Sequence, residues 1–380
     1  MERFFDKNIK YKFLNIDFIF SLLIHFPLIV NFNSFVSFYL LILSFIYFLY
    51  NNKSYPKNYF NLLIAISFVL IYTYLVSFLN FGYNYSSFYK FFLLLATLIY
   101  QLNIAYSVTD FYSYFRGLAI SFLIIIILNF SKILNIDIAE LQRVEIGLIN
   151  PIWLARFSGF LFLYFFVSNL IKFRFLKYSI LIALLLIIFL SGSKGPFLAL
   201  IISILYFNKN YFKHILIIIP IIFFLIIFSN QDGLLNFYFQ KRFLTLNPNQ
   251  KEITTIIEGD RVDLFITTII NFFQLNILQI FMGIGIGTSS FLYFNFVLNE
   301  RWYPHNILLE LLYEFGPIIL FLFLALLFNI FFKSKDKSIS IFVLYFFINS
   351  LFSGDLPLNS YIFLFLFIYL KKTSKKYELS

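Results

Sequence analysis

Apolar runs of about 18 residues or more recur along this chain, and that repetition leaves few folds open. In lipid every backbone N–H and C=O must be bonded within the protein, so a spanning segment is a helix or a strand of a closed barrel. A barrel strand needs only about 9–11 residues. Runs this long are therefore helices. Charge content agrees, since only 12% of the 380 residues are charged, about half the share in soluble domains. The sequence thus predicts an all-α, polytopic integral membrane protein. Its basic start, "MERFFDKNIKYKF", leads into a long apolar stretch with no small-residue cleavage site, which reads as a retained first helix.

The runs place twelve spans at 13–30, 33–50, 59–80, 91–108, 117–131, 153–171, 178–192, 195–208, 212–229, 306–332, 339–354 and 357–370. An even number puts both termini on one side. Ten of the 29 basic residues, namely Lys90, Lys132, Arg143, Arg156, Lys194, Lys241, Arg242, Lys251, Arg261 and Arg301, then face away from the termini. The other 19 face the same side as the termini, which the positive-inside rule makes cytoplasmic. One long outer loop follows, about 230–305, with an amphipathic middle at 264–281 suited to lie along the membrane surface. A shorter outer segment covers 131–151. The net charge of +11 sits at helix ends and forms no continuous polar surface, so it does not point to nucleic acid.

Several polar groups stand at the outer lipid boundary. In "RWYPHNILLELLYEFG" (301–316), Trp302 and Tyr303 suit an interfacial belt, Asn306 suits a helix cap, and Arg301 can snorkel. A functional reading of the same stretch has Arg301 and His305 converge on an anionic substrate. Arg261, between Asp260 and Asp263, is either a solvated salt-bridged turn or a second cation for that substrate. Lys194, in "FLSGSKGPFLAL", marks a tight break between two spans and lacks the spacing of a phosphate-binding P-loop. Glu310 and Glu314, at i,i+4 near the start of one span, are costly in lipid and should face the protein interior. Asp355 suits a turn, and "MGIGIG" (282–287) suits a close-packed turn. With no cysteine, and with His25 and His214 lacking partners at ligand spacing, no metal site or cofactor is expected. Taken together, Lys194, Arg261, Arg301 and His305 are distant in sequence yet fall on one face.

Three stretches, "SGSKGPFLALIISILYF", "FMGIGIGTSSF" and "PHNILLELLYEFGPIILFLFL", resemble the bacterial O-antigen ligases and O-antigen polymerases, membrane glycan transferases. In that family a Ser-Arg-Gly-type break opens a span. A Gly-x-Gly-x-Gly turn follows in the large periplasmic loop, and His-Asn then starts a span ahead of Glu…Gly. "NPIWLARFSGFLFL" (150–163) and "GDRVDLF" also fall in the expected order, so the likeness covers roughly 150–355. Two positions depart from the pattern: Lys194 stands where arginine is usual, which loses bidentate phosphate geometry, and Pro317 follows Gly316.

The resemblance implies a GT-C-like fold in the bacterial inner membrane with cytoplasmic termini. It also implies metal-independent transfer of a glycan, with inversion, from a polyprenyl-diphosphate donor to a sugar hydroxyl at the periplasmic face. On that footing Arg261, Arg301 and, more peripherally, Lys194 would hold the diphosphate. His305 would be the base, with Asn306, Glu310 and Glu314 in support. The implied partners are the lipid-linked donor, a glycan or lipid A–core acceptor, membrane lipid and a chain-length regulator. A polymerase extends a lipid-linked repeat, whereas a ligase caps lipid A–core; the residues do not separate them, and the expectation is a polymerase because polymerases are the more numerous and divergent kind, with a ligase as the alternative. Two other classes are a lipid-linked oligosaccharide flippase, which would need cations through a central cavity, and a structural membrane protein.

Overall fold

The computed structural model describes residues 16–29, 36–51, 57–128, 151–168, 171, 173–191, 193–207, 261–289, 304–334, 336–352, 354, 356–357 and 359–378. All regular structure among them is helical. Among the described residues three helices are long and apolar enough to cross a membrane: Asn58–Phe81, Tyr85–Ser107 and Ile307–Lys333. Five shorter apolar helices accompany them. The expected span 212–229, the outer segment 131–151 up to residue 150, and Trp302, Tyr303 and Asp355 lie outside the described residues. The described part is therefore helical and apolar as expected, while the count of twelve spans goes beyond it.

Residues fall into two compact units. The first holds α1 (Ile16–Ile29), α5 (Phe111–Leu128), α6 (Pro151–Val167), α7 (Arg174–Leu190), α8 (Lys194–Phe207) and residues 337–349 of α12 (Lys337–Phe352). Helices α1 and α5 meet at Gly117, where an added Cβ would stand 2.7 Å from the Phe18 carbonyl oxygen. Only a glycine lets the two backbones approach so closely. A ring cluster of Phe115, Phe160, Phe342 and Phe346 joins α5, α6 and α12. Buried Arg156 donates to the Asn349 carbonyl at 3.1 Å, and the Tyr345 hydroxyl donates back to the Arg156 carbonyl at 2.8 Å.

The second unit holds α2 (Val36–Asn51), α3 (Lys57–Phe81), α4 (Tyr85–Ser107), α9 (Arg261–Phe273), α10 (Ile277–Met282), α11 (Ile307–Lys333) and α13 (Tyr361–Glu378). Helix α4 packs against α2, α3 and α13. Several polar groups inside this packing are paired, as burial favours. The Tyr59 hydroxyl donates to Asn103 Oδ1 at 2.7 Å, and Asn103 Nδ2 donates to Ser44 Oγ at 3.2 Å. Lys371 closes the C-terminal end of α4 by donating to the carbonyls of Ala105, Tyr106 and Val108. A cation there satisfies free carbonyls and meets the negative end of the helix dipole.

Candidate functional site

Helix α11 is where the second unit departs most from regular helix. Asn306 caps it, its side-chain oxygen accepting from the Leu308 and Leu309 N–H groups at 2.9 and 3.3 Å, while its Nδ2 donates to the Leu351 carbonyl. Immediately before the cap, His305 has φ +55. It is the one non-glycine with positive φ among the described residues. A histidine held in the left-handed region costs of order 1–3 kcal/mol and persists only where its surroundings fix it. Here buried Pro304 lies on one side and the bonded cap on the other.

Residues 311–315 then open into a π turn, and Gly316 at φ +81 turns the chain off the helical path. The carbonyl of Tyr313 would ordinarily accept from the N–H of residue 317, but Pro317 has none. The partner comes instead from the glycine turn that follows α10. Ile284 N–H donates to Tyr313 O at 3.0 Å, and Gly285 N–H donates to Glu314 O at 3.1 Å. The same turn is tied to α3 and α4. Ile286 N–H donates to Thr73 O, Asn80 Nδ2 to Ile284 O, and Ser86 Oγ to Gly287 O. Residues 283–289 are all buried, and their non-helical backbone is tolerated in an apolar setting because it is bonded on both sides.

The three glycines are required by contact as well as by φ. A Cβ on Gly283 would meet Glu314 O at 2.5 Å, one on Gly287 would meet Ser87 Cα at 2.6 Å, and one on Gly285 would strike the Ser77 backbone. The turn is thus close-packed, and its contacts lie with the spans.

Under the turn sits a buried ionic cluster. Lys90 Nζ lies 2.5 Å from Glu310 Oε1 and 2.7 Å from both carboxylate oxygens of Glu314. Ser289 Oγ donates to Glu314 Oε1, and Leu356 N–H donates to Glu310 Oε1 at 3.2 Å. Both glutamates are fully buried, and the lysine nearly so. Among the described residues Glu310 Oε2 has no hydrogen-bond partner. π turns collect at functional sites, and intramembrane charges default to a functional reading.

Of the residues singled out in the sequence, the second unit brings His305, Asn306, Glu310 and Glu314 onto one helix start. Arg261 is the first residue of α9, and α9 packs against Ile307–Glu310. Arg301 lies outside the described residues. Lys194 opens α8, exposed, in the first unit. The sequence reading missed Lys90 and Ser289. It started the fourth span at 91, which left Lys90 at a loop edge; the helix starts at Tyr85 and carries the lysine inward. Two glutamates at i,i+4 in an apolar helix call for a buried cation, and that requirement was the available signal. No family model, curated protein or solved structure matches the chain.

Proposed function

We propose that this protein transfers a glycan from a polyprenyl-diphosphate donor to a sugar hydroxyl at the periplasmic face of the bacterial inner membrane, as a surface-polysaccharide polymerase. The observation that carries the proposal is His305, held at φ +55 at the mouth of a helix whose next two turns contain a buried charged cluster. Strain of this kind is kept where it positions a group. In the reaction the acceptor hydroxyl attacks the anomeric carbon as His305 takes its proton. The bond from that carbon to the diphosphate breaks, and its electron pair stays on the diphosphate oxygen. Arg261 and Arg301 meet that charge. Lys90, Glu310 and Glu314 position the helix start and touch no substrate.

The test is turnover of a lipid-linked oligosaccharide in proteoliposomes, read as released polyprenyl diphosphate. His305→Asn and His305→Gly both tolerate the left-handed backbone. Each should fold and lose about 100- to 10,000-fold in rate, the usual worth of a general base. Full activity in either variant removes His305 as the base. A ligase is the alternative acceptor choice. In a deletion strain, single repeats on lipid A–core mean polymerase, and no attached repeats mean ligase.

The buried Lys90–Glu310–Glu314 cluster favours a second reading, a lipid-linked oligosaccharide flippase, because proton-coupled carriers keep such groups inside their spans. Translocation of donor without release of polyprenyl diphosphate would select it.

A further inference from the structure

We infer that residues 261–289 form a re-entrant element whose apolar face is covered by the acyl chains of the leaflet that holds the start of α11. This inference does not rest on the proposed reaction. The amphipathic middle of the loop, 264–281, is built from two short helices. Helix α9 ends at Phe273, and α10 restarts at Ile277 behind a capping box made by Asn276 and Gln279.

Depth follows from what each piece touches. Helix α9 packs against the first turn of α11, and α10 packs beyond the break at Gly316. The chain therefore travels along α11 away from its start, then turns back through the glycines toward Glu314 and Lys90. Helix α3 gives a scale. Its 25 residues span about 37 Å, so about 3–4 Å of each end projects beyond a 30 Å hydrocarbon core. Thr73, which accepts from Ile286, lies eight residues from the end of α3, about 12 Å along it. Other contacts of the turn sit higher, Ser77 at about 6 Å and Asn80 at about 1.5 Å from that end, so the turn reaches from the core boundary to about 8 Å inside it.

The segment has two faces. Buried Thr268 and the side chains of Phe272 and Leu275 point inward, the latter two onto Ile284 and Tyr313. Ile266, Ile269, Ile270 and Phe273 repeat at helical spacing on the outer face of α9, and Phe273, Ile277 and Phe281 are 75, 76 and 60% exposed. In water six such side chains on one short segment would be an unusual patch. Helices α3 and α11, on which the segment is anchored, carry exposed apolar residues of their own, Phe68, Ile71 and Leu75 on α3 and Ile318, Phe321 and Leu322 on α11, and both are long and apolar enough to span.

The chain has no cysteine, so single cysteines can be placed at will. Phe273→Cys, Ile277→Cys and Phe281→Cys replace exposed side chains and leave the packed face intact. Tyr83→Cys, on the exposed turn between α3 and α4, is the aqueous control. In liposomes of brominated phosphatidylcholine, the three sites should lose reaction with a charged maleimide that Tyr83→Cys keeps. A bimane attached there in detergent should be quenched by the brominated chains after reconstitution. Labelling equal to the control overturns the inference, because the face is then in water. Protection without quenching also overturns it, because a second copy or another protein then covers the face.

Discussion

Two helix breaks, one in each unit, solve the same backbone problem in different ways. Between α7 and α8 the chain mends itself with its own side chains. Ser191 Oγ donates to Ile188 O at 2.6 Å and accepts from Ser193 N–H at 3.3 Å, and α8 restarts at Lys194. In α11 the break at Gly316 is mended by a segment about 30 residues upstream, which supplies the N–H groups of Ile284 and Gly285 and the hydroxyl of Ser289. A break satisfied locally is a joint between two helices. One satisfied from elsewhere is a docking point, and its failure would release a whole loop.

The largest effect should come from the charge beneath the docking point. Lys90→Met leaves two fully buried carboxylates with no ammonium, and removing one member of a buried ion cluster costs about 3–5 kcal/mol. Thermal unfolding in detergent should show that loss. The triple variant Lys90→Met, Glu310→Gln, Glu314→Gln should recover most of it, because the uncompensated charge is gone. If the triple variant stays as unstable as the single one, the lysine acts through packing and the electrostatic account of the break fails.

Next comes the glycine turn. Gly285→Ala puts a Cβ into the Ser77 backbone at φ +104, so backbone strain and overpacking add to about 2–4 kcal/mol. Gly82 is the internal control: it has φ +70 but nothing within 4 Å of an added Cβ, so Gly82→Ala should cost only about 1–2 kcal/mol. Equal costs at the two positions would mean that the close approach to α3 contributes nothing.

The difference between the breaks also explains what could be read in advance. "SGSKGP" announces a turn because its serines, glycines and proline act on neighbouring backbone. The helices were legible for the same local reason: apolar runs near 59–80 and 306–332 match α3 and α11 to within two residues. Asn306 as a cap was legible from its place before an apolar run. The glycines of "MGIGIG" were legible as a tight turn, but the partners of that turn, Tyr313, Glu314, Thr73 and Ser87, lie 29 to more than 200 residues away in sequence. The inward orientation of Glu310 and Glu314 followed from the cost of charge in lipid, whereas Lys90 as their partner required the fold. Nothing local in "SSFYKFFLLL" distinguishes a lysine that snorkels from one that reaches a glutamate over 200 residues on.

The smallest effect belongs to the self-mended break, and it tests the comparison from the other side. Ser191→Ala removes one acceptor and one donor, each bonded within three residues. A single neutral hydrogen bond contributes about 0.5–1.5 kcal/mol net, so the variant should lose about 1 kcal/mol and keep its fold. Because the partners are local, the loss should be confined to the joint. Amide exchange should quicken at Ser193 and in the first turn of α8 and stay unchanged in the first unit's ring cluster of Phe115, Phe160 and Phe342. A loss as large as that of Lys90→Met, or faster exchange through the ring cluster, would make this joint a docking point too, and the distinction between the two breaks would go.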